Sequence, residues 1–472
     1  MIYLLVCALV VVGLLCSYFL VKTYQLCGYK IGKFAWQCLN LNFSTGNKNR
    51  LVFTKRLTRF LVVLAALYGG LFFLPLHFVQ SWVLVLFDCL VVLCFSPCWI
   101  VLAHFVCLPF EEMIKHFYIC KAKRKLARKK VIKIAITGSY GKTSLKNILT
   151  HILEKEYKVC STPKNYNTEM GTTLSVLKYL DDHDIFIAEM GARKKKDIAK
   201  LTKIVKPDYG IITAIGNCHM ESFKTLQNVA DTKYELAENI AENGKMFFGG
   251  QNDGALKLYK KFSGNNILAG VDGGFAYAKN ERIDSNGLSF CLVLDGNEIE
   301  VQTALLGRFN IDNIVLASAV AYSLGVSLRD IKNAIKTLEP TPHRLQLIKT
   351  PHCYILDDAY NSNEVGFAEA LELLAKFEGR KIVVTPGMVE LGGRQQEENF
   401  KLGGKIADVC DYLIIMNNTN KNELLSGAIS HNFKKENIFF AQNRQQQKEL
   451  LQLLSCKDCV ILFENDLPDN FD

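Results

Sequence analysis

The sequence predicts an α/β protein: a central domain built on a phosphate-binding loop, a second Rossmann-like α/β domain after it, and about three membrane-spanning helices before both. Three observations predict it. From residue 131 onward, short β-branched runs alternate with segments of helical periodicity, the pattern of a mainly parallel sheet. The segment Thr137-Gly138-Ser139-Tyr140-Gly141-Lys142-Thr143 falls between such a strand and such a helix. Three apolar stretches crowd the first 108 residues, each near the length of about 20 residues that crosses a bilayer.

The expected spans are Ile2–Leu20, Phe60–Gln80 and Trp82–Leu108. The first lacks the basic start and small-residue cleavage pattern of a cleaved signal. Residues 1–130 carry 16 Lys and Arg against 3 Asp and Glu, whereas residues 131–472 carry 40 against 43. A uniformly basic nucleic-acid binder does not partition its charge this way, and a membrane anchor with cytoplasmic basic flanks does. Lys22, Lys30, Lys33, Lys48, Arg50, Lys55, Arg56 and Arg59 lie between the first two spans, and the short link near His77–Ser81 has neither Lys nor Arg. The expected topology is therefore a multi-pass protein of the cell membrane with its catalytic domains in the cytoplasm. The basic segment Lys115–Lys130 either lies along anionic headgroups, with Phe117, Tyr118, Ile119 and Leu126 as apolar contacts, or forms a solvated flank. Asp88, inside the third span, is a costly place for a carboxylate. The sixteen cysteines are scattered and read as reduced thiols, and Cys456 and Cys459 lack the second pair that zinc requires.

Strands are expected at Val131–Ile136, Ile185–Glu189, Tyr209–Ile215 and Lys245–Phe248. The turn signals Ser285-Asn286-Gly287 and Asp295-Gly296-Asn297 predict a small antiparallel appendage over Ile267–Leu306. Helices follow at Asp312–Leu324 and Leu328–Leu338, and Pro340 with Pro342 mark a boundary. The second unit then has strands near Tyr354–Leu356, Lys381–Thr385, Tyr412–Met416, Ile438–Ala441 and Cys459–Phe463. The expected organisation is an anchor over 1–108, a basic segment over 109–130, a central domain over 131–340 and a C-terminal domain over 341–472.

Gly138 and Gly141 let backbone N–H groups approach phosphate oxygens, Lys142 reaches toward the β and γ groups, and Thr143 is placed to ligate magnesium. Ile136 stands where the commoner loop spacing has Gly, so the motif is the shorter T-G-[ST]-x-G-K-[ST]. Glu189 ends an apolar strand, the place for a carboxylate that holds a metal beside a phosphate loop. His219 and, fourteen residues on, Lys233 on the expected helix Thr225–Ile240 complete a set that a mere nucleotide switch does not need.

These residues resemble the Mur ligases of peptidoglycan synthesis, and within that family the D-alanyl-D-alanine-adding branch. The resemblance covers about residues 131–472. It includes the loop, Asn165-Tyr166-Asn167-Thr168-Glu169-Met170-Gly171, Glu189-Met190-Gly191-Ala192, His219-Met220-Glu221 and Thr232-Lys233-Tyr234-Glu235. It continues through Gly307-Arg308-Phe309-Asn310-Ile311-Asp312-Asn313, His343-Arg344-Leu345, Asp357-Asp358-Ala359-Tyr360-Asn361-Ser362-Asn363 and Gly387-Met388-Val389-Glu390-Leu391-Gly392.

The resemblance implies an ATP-dependent, ADP-forming acid–amino-acid ligase that works through an acyl phosphate. It implies ATP contacts from Gly138, Ser139, Gly141, Lys142, Thr143, Ser144, Asn310, Asn313, Arg344 and Asp358. Two Mg2+ ions would be held by Thr143, Glu189, His219 and Lys233 as a carbamate, with Lys142, Glu189, His219 and Lys233 catalytic. Asn165, Asn167, Thr168, Tyr360, Asn361, Asn363 and Glu390 are implied substrate contacts. The partners implied are the membrane, a cell-wall precursor that is UDP-linked or lipid-linked, and an amino acid or dipeptide such as D-alanyl-D-alanine. Departures bear on the substrate. An anchor occupies the place of a UDP-binding domain, Glu364 stands where the branch usually has Pro, Asn399 where it often has His, and Leu462–Pro468 is unlike the usual ending. Two alternatives stay open: a ligase for another substrate, lipid-linked or polyglutamate-like, and a membrane-bound nucleotide-driven motor or regulator that ligates nothing.

Overall fold

The computed structural model of the 472-residue chain describes residues 2–40, 51–74, 82–164, 166–360 and 362–465. The expected residues Lys48, Arg50, Asn165 and Asn361, the link near His77–Ser81 and Asp466–Pro468 lie outside these. The chain divides into two units, residues 1–118 and 119–472.

The first unit contains helices Ile2–Leu26, Ile31–Leu39, Lys55–Leu74 and Trp82–Cys94, and most of the helix Ser96–Arg128. Tyr24, Phe34, Leu57, Phe60, Leu64, Ile100 and Ala103 form its core. Among the described residues two helices, Leu5–Leu26 and Ser96–Arg128, are long and apolar enough to cross a membrane, rather than about three. The stretch expected as one span, Trp82–Leu108, is broken at Phe95. Pro97 lacks the N–H that would continue the earlier helix and sits in the first turn of the next, where none is needed. The basic segment is the last part of that next helix, and Leu126 does not face headgroups. With Ala122 it is buried against Val131 and Leu180, and Lys125 Nζ pairs with Asp181 at 3.2 Å.

Residues 119–472 build two sheets. The strands of the first are β1 (Ile132–Thr137), β2 (Val159–Ser161), β3 (Ile185–Glu189), β4 (Tyr209–Ile212), β5 (Lys245–Gly249), β6 (Asn266–Ala269), β7 (Ala276–Asp284), β8 (Gly287–Leu294) and β9 (Asn297–Thr303). They order as β2-β3-β1-β4-β5-β6-β7-β8-β9. β1 to β6 are parallel, and burial on both faces explains their near-continuous apolar runs. The antiparallel β7, β8 and β9 are not a separate appendage: the Ala269–Ala276 bridge carries the sheet straight into them. Their second turn, Asp295-Gly296, has φ of 48° and 79°, the paired positive values of a tight hairpin. Helices Lys142–Leu153 and Phe309–Ser323 cover one face through Leu145, Leu149, Ile314 and Val315, and Asp197–Val205 and Leu226–Glu238 cover the other through Leu201, Val229 and Leu236.

The second sheet contains β10 (Gln346–Lys349), β11 (Cys353–Asp358), β12 (Lys381–Thr385), β13 (Tyr412–Met416), β14 (Ile438–Ala441) and β15 (Cys459–Glu464), ordered β10-β11-β15-β12-β13-β14. All neighbours are parallel except β10 and β11. Chemistry in such sheets gathers beyond the carboxyl ends of the strands, where β1, β3, β11, β12 and β15 deliver the residues considered next.

Candidate active site

β1 hands the chain to Gly138, whose φ of 153° and close approach to Thr213 leave no room for a side chain: a Cβ there would lie 2.0 Å from Thr213 Oγ1. At Gly141, φ is 78° and a Cβ would meet Asn313 Oδ1 at 2.9 Å. The backbone between them is therefore drawn tight at the head of helix Lys142–Leu153, where unpaired N–H groups favour anions. Ser139 staples the loop, its Oγ donating to Gly216 O and accepting from Gly216 N, each at 3.0 Å. Tyr140 OH donates to Asn217 O at 2.8 Å. Lys142 Nζ donates to Gly138 O at 2.7 Å and Ser139 O at 3.2 Å, and Ser144 is buried below.

Glu189, 1% exposed at the end of β3, accepts from Thr143 Oγ1 and Lys146 Nζ, each at 3.1 Å to Oε2, and from Asn167 Nδ2 at 3.1 Å to Oε1. Lys146 is a residue the sequence reading passed over. Its buried ammonium spends its other hydrogens on Thr162 O and Lys164 O, each at 2.8 Å, so one side chain ties helix, strand and the Thr162–Lys164 loop together. No local signal marks it: the four-residue spacing from Lys142 puts it on the same helix face without saying that the face is buried. Thr168 caps helix Glu169–Tyr179 by accepting from Gly171 N at 3.3 Å.

Lys233 is 2% exposed on helix Leu226–Glu238, with no carboxylate in ion-pair contact among the described residues. Burial, with the Lys142 ammonium nearby, pulls its pKa down to about 8, and burial depresses that of Lys142 too. A buried ammonium and a half-buried one that repel each other make a site that favours an anion. His219 stands in the left-handed region at φ 50°, its Nδ1 hydrogen-bonded to the Glu390 carboxylate. No hydrogen bond or ion pair joins Glu189 to His219 or Lys233 among the described residues. No cluster of three or more His, Cys, Asp or Glu in metal-binding arrangement occurs there either. Magnesium keeps waters and phosphate oxygens around one or two carboxylates, so Thr143 and Glu189, 3.1 Å apart, suit its demands without such a cluster.

On helix Phe309–Ser323, Asn313 Nδ2 is buried with no hydrogen-bond partner, whereas Asn310 Nδ2 is committed to Leu306 O at 2.7 Å. The Arg344 guanidinium lies 4.3 Å from the Tyr360 ring centroid, and Leu345 N donates to Asp358 Oδ1 at 3.1 Å. Burial raises the Asp358 carboxyl to about 6 and holds the Glu464 carboxyl, its register neighbour on β15, well above the usual range. Ser362 Oγ donates to Glu464 Oε1 at 2.7 Å. Asn363 caps helix Glu364–Ala375 through Gly366 N at 3.0 Å, and Asn217 Nδ2 reaches Glu364 Oε1 at 3.5 Å. The structure thus gathers three groups: Thr143, Lys146, Asn167 and Glu189; His219 with Glu390; and Arg344, Asp358, Tyr360 and Glu464.

Comparison with known proteins bears on this arrangement. A model of the Mur ligase middle domain matches residues 136–321, and a model of the Mur ligase glutamate ligase domain matches residues 343–463. The UDP-N-acetylmuramoyl-tripeptide--D-alanyl-D-alanine ligase of Buchnera aphidicola subsp. Baizongia pistaciae is 31% identical over 352 residues, 72% of this chain and 73% of that protein. The enzyme so named from Haemophilus influenzae is 29% identical over 302 residues, 63% of this chain, which spans 66% of that relative's length. Among solved structures, MurF ligase of Thermotoga maritima in complex with ADP superposes with a TM-score of 0.66 at 26% identity, covering 75% of this chain and 80% of that one. MurF of Acinetobacter baumannii gives 0.68 at 24% identity, with 75% and 77% covered, a likeness of fold.

Proposed function

Because the chain belongs to the Mur ligase family, we propose that it is an ATP-dependent, ADP-forming ligase that adds D-alanyl-D-alanine, or a closely similar amine, to a muramoyl peptide. The observation that carries this reading is a pair of neighbouring ammonium groups, the half-buried Lys142 and the buried Lys233, behind a tight phosphate loop. Such a site is electrostatically incomplete until an anion enters, and ATP with a substrate carboxylate supplies several negative charges at once.

In this reading Lys142 exchanges the carbonyls of Gly138 and Ser139 for phosphate oxygens, and the loop amides hold the transferring group in line with the substrate carboxylate. The γ-phosphoryl group passes to that carboxylate, an amine attacks the acyl phosphate, and the tetrahedral intermediate collapses to amide and phosphate. Thr143 and Glu189 hold one Mg2+, and His219 with Lys233 serve the second. The ions neutralise phosphoryl charge when bound. Lys233 enters as a carbamate: a pKa of about 8 leaves part of the amine neutral near physiological pH, and the neutral amine is the form that adds CO2. Asn313, with its free buried amide nitrogen, and Arg344 and Asp358 take the nucleoside end. Asn310 supports Asn313 through the helix start, and Ser139 and Ser144 act as loop supports. Tyr360 and the neighbouring Asn361 and Asn363 border the amine site, and Asn165, Asn167 and Thr168 the muramoyl side.

The apolar helices Leu5–Leu26 and Ser96–Arg128 support membrane attachment with the catalytic domains in the cytoplasm, and the acceptor is then a membrane-associated precursor. The test incubates purified full-length protein in detergent with ATP, Mg2+, UDP-linked and lipid-linked muramoyl peptides, and a panel of amines. Amine-dependent phosphate release with a new amide detected by mass is expected. Hydrolysis of ATP at the same rate whatever amine is present, with no amide formed, would sink the ligase reading. Equal turnover of UDP-linked and lipid-linked acceptors would sink the lipid-linked one.

A further inference from the structure

The loop after β12 reaches the phosphate side of the molecule, and three buried amides fix its shape. Asn399 Oδ1 accepts from Met388 N at 2.8 Å while its Nδ2 donates to Met388 O at 2.9 Å. Asn420 Nδ2 donates to Pro386 O at 2.9 Å and Met388 O at 3.1 Å, and Asn465 Nδ2 to Gly387 O at 2.7 Å. Gly387, at φ 80°, leaves only 2.3 Å between a would-be Cβ and Asn399 Oδ1.

This rigid loop presents Glu390, itself in the left-handed region at φ 62°, to the segment that begins at His219. Glu390 O accepts from Met220 N at 3.0 Å, and the Glu390 carboxylate bonds His219 Nδ1. Two non-glycine residues in a costly backbone conformation therefore meet, joined through their side chains and braced by the backbone bond from the next residue, Met220. Backbone strain of this kind persists only where the surroundings enforce it, and it concentrates at functional sites. A carboxylate on Nδ1 fixes the imidazole tautomer with the proton on Nδ1, leaving the Nε2 lone pair free. This is the support that metal-binding histidines ordinarily receive.

We propose that Glu390 is a positioning residue for His219: it orients the imidazole so that Nε2 binds a divalent cation, which makes the cation site complete only when the C-terminal sheet supplies its loop. The inference rests on the reading of His219 as a metal ligand. It reassigns Glu390 from contact with the amine substrate to support of the metal site.

The test measures Mn2+ binding to the full chain in the presence of ADP by electron paramagnetic resonance, with pulsed detection of directly bound nitrogen, in wild type, His219→Ala, Glu390→Gln and Glu390→Ala. His219→Ala is expected to remove the nitrogen signal. Glu390→Gln is expected to weaken Mn2+ binding by about 10- to 100-fold with an unchanged melting temperature, and Glu390→Ala to disperse or abolish the nitrogen signal. Unchanged affinity and signal in Glu390→Gln and Glu390→Ala, alongside loss in His219→Ala, overturns the role of Glu390 alone. A wild-type nitrogen signal that is absent, or that survives His219→Ala, overturns the metal reading of His219 itself.

Discussion

Lys146 shows how one side chain decides whether a phosphate loop and its neighbouring carboxylate act together. The side chains of Lys146 and Glu189 are both buried, and removing one member of such a pair strands the other charge in the interior. Lys146→Met is expected to cost about 3–5 kcal/mol, read from denaturant unfolding, and a loss below about 1 kcal/mol would contradict the account. In the sequence this lysine is indistinguishable from a solvated helical lysine. The Thr162–Lys164 loop that covers it comes from a distant stretch with no pattern of its own. Lys233 was legible only through its company with Glu189 and His219, and its burial was not legible at all. Its folded pKa of about 8 lies below the ordinary 10.5, so the unfolded chain binds more protons between those values. Stability contributed by this group therefore rises as pH climbs from about 8 to 10.5 and is at its lowest below 8. In CO2-free buffer, Lys233→Met should lose that rise. A variant with the wild-type pH dependence of its unfolding midpoint would refute the depressed pKa.

Elements were most readable where burial is complete on both faces. β12 and β13 coincide with the apolar runs Lys381–Thr385 and Tyr412–Met416, because parallel strands between helix layers need unbroken hydrophobic sequence. β2 and β10, of three and four residues, are too short for periodicity to mark. The union of β6 with β7 hangs on one bridge that no local signal announces. Helix pairing depended on glycines whose reason is spatial. Helices Gln395–Ala407 and Lys421–Ser430 approach so closely that a Cβ at Gly427 would stand 1.9 Å from Phe400 O, and one at Gly403 would stand 2.3 Å from Leu424 O. Gly427→Ala should push the pair apart and cost about 1–3 kcal/mol, visible as a lower melting temperature. An unchanged melting temperature would show that the helices separate freely.

For the molecule as a whole, composition separates a basic, apolar beginning from a charge-balanced remainder; among the described residues only Leu5–Leu26 and Ser96–Arg128 are long and apolar enough to span, because the expected Phe60–Gln80 runs beyond the described helix Lys55–Leu74 and Pro97 leaves Trp82–Cys94 too short. Membrane attachment predicts that the full chain stays with the pelleted membranes after alkaline carbonate washing, and recovery in the supernatant would exclude integral insertion. The order of strands carries a further consequence, one of timing. β15 lies between β11 and β12, yet it follows every other strand of its sheet in the chain. While the protein is being synthesised, the nine-stranded sheet can close as soon as β9 has left the ribosome, whereas β11, ending at Asp358, and β12, ending at Thr385, must wait with open edges for a partner that begins only at Cys459. Such distant pairing is slow. A chain interrupted between β12 and Cys459 would carry a finished phosphate loop and an unfinished second sheet, exposing strand edges that invite aggregation or degradation.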